Sequence, residues 1–264
     1  GGTVSDGEAK LVRDAFDALA LDLNPVGGKS LAGITDALHA GLLPYIQRSA
    51  TGQRCLTKPR GYVGDYRTIA MIYGNSASGE APLGPILDAA LLNQAAMKAI
   101  RNQRAQAAAE LAKLFEGTTK EFHVTSLGSG PASEIFDVYD KTNAKGRLLV
   151  NCVDVDREAL AHVATRGQDH GLAGQIRTYQ ANLIHLATGQ QALDLAPQDV
   201  IYSLYFADSL SDELTTTLIN WMHDKLRPGG RVLLGAFDPS NPTRGLMDHV
   251  LDWHVVHRSE ADLN

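Results

Sequence analysis

Two cysteines in 264 residues, Cys55 and Cys152, leave the chain without a disulfide framework and without zinc-ligand spacing. Cys152 lies in an apolar run and reads as a small core residue. Basic charge is also scarce. Lys and Arg number 24 against 30 Asp and Glu, which gives a net charge of −6. That balance offers no general attraction to nucleic acid, although it leaves room for a local basic patch. No apolar run reaches the length of a membrane-spanning helix, and no stretch has the layout of a signal peptide. The acids and histidines show no compact metal-ligand spacing, so no metal is expected. With 44% hydrophobic and 20% charged residues, what remains is an ordinary globular protein, expected in the cytoplasm. Gly1-Gly2 reads as a cloning remnant and takes no part in the argument.

The chain changes character near residue 118. Before it, Ala9, Val12, Phe16, Leu19 and Leu23 recur at helical spacing, as do Leu31, Ile34, Leu38 and Leu42. Asn24-Pro-Val-Gly-Gly28 separates these two runs. Residues 51–84 are rich in glycine and aromatics and read as a loop with one short helix near Tyr66–Tyr73. A single long helix is expected over Pro85–Phe115, with Gly117 just past its end. From residue 120 onward strands and helices alternate, the mark of a parallel sheet with crossover helices. The expected organisation is a helical cap over residues 1–117 and a doubly wound α/β core over 118–264.

The core opens on Phe122-His-Val-Thr-Ser-Leu-Gly-Ser-Gly-Pro-Ala-Ser-Glu134, followed by Val150-Asn-Cys-Val-Asp-Val-Asp156. An apolar strand runs into a glycine turn and a helix start; a second apolar strand then ends on a carboxylate. In a parallel sheet this order places backbone N–H groups and one acid beside a nucleoside-sized crevice. Gly128 and Gly130 allow a tight turn and a close ligand approach. Asp154 can accept hydrogen bonds from both hydroxyls of a ribose. Asp156 instead reads as the cap of the next helix. The turn falls short of the dinucleotide pattern, because Ser133 stands three past Gly130. Pro131 lacks the N–H that a pyrophosphate would use. A nucleoside without phosphates is expected, which points to S-adenosylmethionine rather than NAD.

Residues 122–237 resemble the core of class I S-adenosylmethionine-dependent methyltransferases, with a Rossmann-like, mostly parallel sheet. The matching motifs run in chain order: Leu127-Gly-Ser-Gly130, Asp154, Gln180-Ala-Asn-Leu183, Asp199-Val-Ile-Tyr-Ser-Leu204 with Tyr205-Phe-Ala-Asp208, and Leu226-Arg-Pro-Gly-Gly-Arg231 before a fifth strand. The resemblance implies cofactor contacts from Gly128, Ser129, Gly130, Pro131, Asp154, Val155, Asn182, Leu183 and Tyr205. Asn182 would face the adenine, or else serve as a turn asparagine bonded to its own backbone. Phe206 would line the substrate side. Asp208 would be a catalytic base or acceptor, or else a helix N-cap. The superfamily ends its sheet with two further strands. Only about 27 residues follow Phe237, and they read as a broken loop, a helix and one strand at Trp253–His257. Either the terminal hairpin is missing or that edge of the sheet is built differently.

A second resemblance rests on Thr57-Lys-Pro-Arg-Gly-Tyr-Val-Gly-Asp-Tyr66, Ala99-Ile-Arg-Asn-Gln-Arg104 and Leu251-Asp-Trp-His-Val-Val-His-Arg258. These segments resemble bacterial methyltransferases related to the extracellular-factor 3-hydroxypalmitate methyl ester synthase. The chain departs from that pattern at Leu204-Tyr-Phe-Ala-Asp-Ser-Leu-Ser-Asp212. Taken by its chemistry, the first segment suits a sulfonium donor. Aromatic faces attract a sulfonium, and a guanidinium clamps a carboxylate. Tyr62 and Tyr66 are therefore candidate catalytic residues, with Tyr73 and Arg60 as cofactor contacts; the alternative is a packed helix entry in which Arg60 pairs with Asp65. Arg101 and Arg104 are further candidates for the methionine carboxylate, or lie on a solvated helix face.

The expected activity is methyl transfer from S-adenosylmethionine, releasing S-adenosylhomocysteine, to a small molecule. A carboxylate acceptor is already ionised at neutral pH and needs no base, whereas an amine or hydroxyl must lose a proton. No base motif stands out. His123 and His185 read as structural, and His249, His254 and His257 are dispersed. Carboxyl O-methylation of a fatty-acyl or similar acid is thus preferred over N-methylation of a metabolite amine, and over cofactor binding without turnover. Asn241, Trp253 and Arg258 are candidate substrate contacts. The helical cap would cover the site within one chain or across a homodimer.

Overall fold

The computed structural model of the chain describes residues 5–28 and 32–263. Leu31 and Gly1-Gly2 lie outside the described residues. Two compact units emerge, one of Gly1–Arg101 with Phe237–Asn264 and one of Asn102–Ala236. The division falls inside a helix, and residues 237–264 group with the N-terminal unit.

The first unit is helical. Helix α1 (Asp6–Leu23) opens with a capping box between Ser5 and Glu8 and buries Phe16, Ala20 and Leu23, the helical periodicity seen in the sequence. Pro25 starts a short 3-10 turn, Asn24–Val26, which ends the run. Helix α2 spans Ala32–Ile46. Helix α3 (Ala50–Thr57) occupies part of what the sequence presents as loop. Its start is fixed by Ser49, whose Oγ accepts the Gly52 N–H at 2.9 Å and donates to the buried Asp88 at 2.6 Å. Helix α4 (Tyr66–Gly74) is capped by Asp65.

The single helix expected over Pro85–Phe115 is two, α5 (Gly84–Leu92) and α6 (Ala95–Glu116). The Ala96 N–H, which an unbroken helix would direct at the carbonyl four residues back, goes instead to Thr243 Oγ1 at 3.0 Å. Thr243 thereby makes a helix start where the sequence shows none.

The second unit contains a five-stranded parallel sheet, β1 (Phe122–Leu127), β2 (Leu148–Asp154), β3 (Ile176–Gln180), β4 (Gln198–Ser203) and β5 (Leu226–Leu234), in the order β3-β2-β1-β4-β5. The crossovers carry α7 (Ser133–Lys141), α8 (Arg157–Asp169), α9 (Leu183–Ala187) and α10 (Asp212–Asp224). Residues of α6, α7 and α8, such as Leu111, Phe136 and Val163, pack with Val124, Val150 and Tyr202 on one face. On the other face Leu183, Leu218 and Met222 pack with Leu127, Val153 and Ile201. Both faces are covered, so residues of both parities are buried along β1 and β4, Thr125 and Ser203 included. The strand order reverses between β1 and β4, and such a switch point opens a crevice at the strands' carboxyl ends.

Helices α11 (Arg244–His249) and α12 (Glu260–Leu263) follow in the first unit. The strand expected at Trp253–His257 does not form; a single bridge joins His257 to Phe237. Asp252, in a left-handed conformation at φ 49°, breaks the extended path just before it.

Candidate functional site

In the second unit β1, β2 and β4 end level with one another, because Leu127 pairs with Val153 and Ser126 with both Cys152 and Tyr202. At that edge Gly128 turns with φ 62° and Gly130 with φ 49°, both in the left-handed region glycine tolerates. The N–H groups of Gly128 and Ser129 donate to Val153 O at 2.9 and 3.1 Å, folding the loop over the end of β2. Ala132, also left-handed at φ 46°, then leads into α7. For a residue with a Cβ that conformation costs about 1–2 kcal/mol, so the surrounding contacts must hold it.

Asp154 is the centre of this edge. Its Oδ2 accepts the Gly130 N–H and its Oδ1 the Asp156 N–H, each at 2.9 Å. The carboxylate is 7% exposed. Burial raises its pKa above the ordinary carboxylate range, an effect opposed by the N–H groups of Asp156 and Gly130. Each oxygen keeps a second lone pair, so the group can still accept two hydroxyls. Val155, the next residue, is 55% exposed, an apolar surface beside a buried acid. Ala181 N–H donates to Asp154 O at 3.0 Å, which brings Asn182 next to this tip.

Several of the residues singled out from the sequence converge here. Gly130 touches Asp154. A Cβ on Gly128 would stand 3.2 Å from Phe206 Cβ and 3.7 Å from Leu183 Cδ1, so these three surround one point. Ser129 is 6% exposed, and its buried hydroxyl finds no partner among the described residues. Tyr205 is half-buried against the layer of α6 and α7. Asp156 caps α8, its Oδ1 accepting the Glu158 N–H at 2.9 Å. Asn182 uses its side chain as the cap of α9, accepting from Ile184 N at 2.9 Å and His185 N at 3.3 Å. The turn-asparagine reading is the one its geometry displays. Asp208 is buried in a 3-10 turn, Ala207–Ser209, and the cap of α10 is Ser211. The capping alternative for Asp208 therefore fails. Arg104 is engaged too, holding Asp137 on α7 through two bonds of 2.8 and 2.7 Å. Arg101, on the same helix, has a buried Nη1 with no hydrogen-bond partner, and burial lowers its pKa.

The candidates of the first unit form their own group. Asp65, wholly buried, binds Arg54 Nη2 through both oxygens at 2.7 and 2.8 Å. Arg54 thus supplies an ion pair to Asp65 that the sequence did not suggest. The guanidinium groups of Arg60 and Arg67 each lie 5.6 Å from the centre of the Tyr66 ring. Tyr62 is 43% exposed and Tyr73 is half-buried. Two distant parts of the second sequence resemblance meet here: Lys58 pairs with Asp252, and a Cβ on Gly64 would stand 3.8 Å from Trp253. Asn241 bonds His257 at 3.1 Å and receives the Thr243 N–H at 3.0 Å. Trp253 and Arg258 are buried.

Sequence reasoning missed Glu134, Tyr202 and Arg166. Tyr202 donates to Glu134 Oε1 at 2.6 Å, and Glu134 is 2% exposed. Burial raises the pKa of Glu134, against the lowering effect of that hydrogen bond. Arg166 donates to Ser133 Oγ at 3.1 Å and to Pro131 O at 3.4 Å. An arginine in the last turn of a helix carries no local signal beyond its favourable place in the helix dipole. Among the described residues no group of acids, histidines and cysteines is arranged to hold a metal, and no helix is long and apolar enough to cross a membrane.

No family model and no curated protein matches the chain. Among solved structures, a possible exported protein from Bordetella parapertussis is similar over 99% of this chain and 90% of its own, at 17% identity and a TM-score of 0.68. The S-adenosylmethionine-dependent methyltransferase SibL, in its apo form, is similar over 87% of this chain and 64% of its own, at 17% identity and a TM-score of 0.50. The chain also covers 47% of a SAM-dependent methyltransferase from Thiobacillus denitrificans, solved with S-adenosyl-L-homocysteine, at 16% identity and a TM-score of 0.38. At these identities the first two likenesses establish a shared fold, and the third carries no argument.

Proposed function

We propose that the chain is an S-adenosylmethionine-dependent methyltransferase acting on a small-molecule acid, with a carboxylate oxygen of a fatty-acyl or similar molecule as the acceptor. The observation that carries the donor assignment is Asp154: a buried carboxylate, fixed by two backbone N–H groups at the switch point, with lone pairs left for a ribose. The Ser129 hydroxyl, unpartnered among the described residues, and the exposed Val155 next to Asp154 fit the rest of an adenosyl group. The fold shared with SibL supports the same reading.

Bound S-adenosylmethionine would supply an activated methyl carbon for in-line displacement. Catalysis then rests largely on positioning, because a carboxylate acceptor needs no deprotonation. Asp154 orients the nucleoside, and the 128–131 loop presents its backbone to the ligand. The C-terminal histidines each hold a hydrogen bond within the first unit. His249 bonds Thr35 at 2.8 Å, His254 bonds Asp252 at 2.9 Å, and His257 bonds Asn241 at 3.1 Å. Burial lowers the pKa of His257.

The test is transfer of a labelled methyl group from S-adenosylmethionine to a panel of fatty acids, hydroxy acids and amines. Labelled esters appearing from acids alone would support the proposal. Methylated amines would overturn the choice of acceptor. Tight S-adenosylhomocysteine binding without turnover on any panel member would make the chain a cofactor-binding protein instead.

A further inference from the structure

The glycine loop is held from behind, and the geometry of that hold assigns a role to Arg166. Within the second unit, its guanidinium lies 3.9 Å from the centre of the Phe136 ring. From there Nη1 donates to Ser133 Oγ at 3.1 Å and to Pro131 O at 3.4 Å. Pro131 has no N–H of its own, and Ala132 is left-handed, so neither residue anchors the loop as part of a regular helix. One residue before Pro131, the Gly130 N–H fixes Asp154 Oδ2 at 2.9 Å. A continuous path therefore runs from Arg166 through the Pro131 carbonyl and the Gly130 amide to the carboxylate.

We infer that Arg166 is a positioning residue for Asp154: it clamps the Gly130-Pro131-Ala132 turn so that the Gly130 N–H aims the carboxylate at a nucleoside ribose. The inference rests on the donor reading proposed above. The flat face of a guanidinium is essential to it, because the group stacks on Phe136 while its Nη1 alone reaches both acceptors. A lysine keeps the charge but cannot stack flat on Phe136 while bridging two acceptors.

A double-mutant cycle tests the path, using calorimetric titration of the full chain with S-adenosylhomocysteine. Arg166→Met and Arg166→Lys should each weaken binding by about tenfold, the loss also expected of Asp154→Ala, and Asp154→Ala/Arg166→Met should bind no worse than Asp154→Ala alone within about twofold. A merely structural arginine would give losses that multiply, and that result overturns the inference. So would wild-type affinity in both Arg166 variants. A second readout needs no ligand. The Gly130 amide should exchange with deuterium about tenfold faster in Arg166→Lys than in wild type, while amides in the middle of β1 and β2 stay protected. Unchanged Gly130 exchange sinks the inference whatever the ligand. If the wild type fails to bind S-adenosylhomocysteine yet the exchange result holds, the donor reading fails and the clamp stands. Should the Arg166 variants not fold, Ser133→Ala removes one of the two contacts and is read by the same exchange measurement. Its Gly130 amide must quicken by about two- to threefold, or the inference falls.

Discussion

Asp154→Asn is the sharpest perturbation of the proposed donor site. The wild-type carboxylate offers an acceptor to each of two N–H groups, Gly130 and Asp156, both at 2.9 Å. An asparagine offers one oxygen, and its NH2 then meets the remaining N–H donor head-on. Leaving one buried donor unsatisfied costs about 1–3 kcal/mol. Against this, the substitution removes a desolvated charge, because burial already raises the Asp154 pKa. The two effects oppose each other in folding, so stability should move by no more than about 1 kcal/mol. Ligand binding has no such offset. Hydrogen bonds to a charged group are worth about 1.5–3 kcal/mol, which corresponds to a loss of about 10- to 150-fold in affinity for S-adenosylhomocysteine. The pH dependence separates this account from general damage. Ribose hydroxyls donate to the ionised carboxylate, and the free protein's Asp154 titrates above the ordinary range. Wild-type affinity should therefore rise as pH increases through that raised pKa and then level off, while the Asn variant stays flat there. Calorimetric titration at several pH values, with urea unfolding alongside, reads both quantities. Equal affinity in wild type and variant, or equal pH profiles, would refute the reasoning.

Glu134 offers a stability counterpart. Its pKa is raised in the folded state, so its contribution is complete below the ordinary carboxylate value and is lost as pH rises through the raised one. Glu134→Gln keeps an acceptor for Tyr202, and its stability relative to wild type should grow with pH across that window; a constant difference in urea unfolding would contradict this. Gly128→Ala puts a Cβ on a left-handed residue 3.2 Å from Phe206, so a loss of about 1–2 kcal/mol in stability is expected, together with weaker nucleoside binding. Unchanged unfolding would mean that the loop relaxes freely. Asp65→Ala removes the α4 cap and strands Arg54, and should cost about 3–5 kcal/mol in urea unfolding; a loss under about 1 kcal/mol would show that pair to be dispensable.

The parts of this fold that could be read from sequence are those decided locally. Phe122–Leu127 and Leu148–Asp154 form strands where apolar runs meet a glycine turn and an acid, and Asp156 caps α8 by a rule that needs three residues. Distant residues decide the rest. Helix α6 begins where it does because Thr243, 147 positions away, takes the Ala96 N–H. Helix α3 was hidden by Gly52 and short polar side chains, whose helical start depends on Ser49 and the buried Asp88. The cap after β4 moved from Asp208 to Ser211 because a 3-10 turn comes between strand and helix. Within the site, Gly130 and Asp154 were legible because each is defined by its own chemistry. Arg166 was not, since its partners belong to a loop 33 and 35 residues earlier.

Strand β5 has consequences for how the protein behaves in a crowded solution. Among the described residues it has one neighbour, β4, and it is the outermost member of the sheet on that side. A row of unmatched amides on such a margin is a template for strands from other molecules. Here the template is faulty from the start. The pairing with β4 loses register between Gln198 and Val200, opposite the stretch where Pro228 lacks an amide hydrogen and Gly229 turns at φ 83°. Arg227 and Arg231 of this strand are paired with Asp199 and Glu110. A foreign strand would find an irregular border, and open-ended stacking would stall at its first rung.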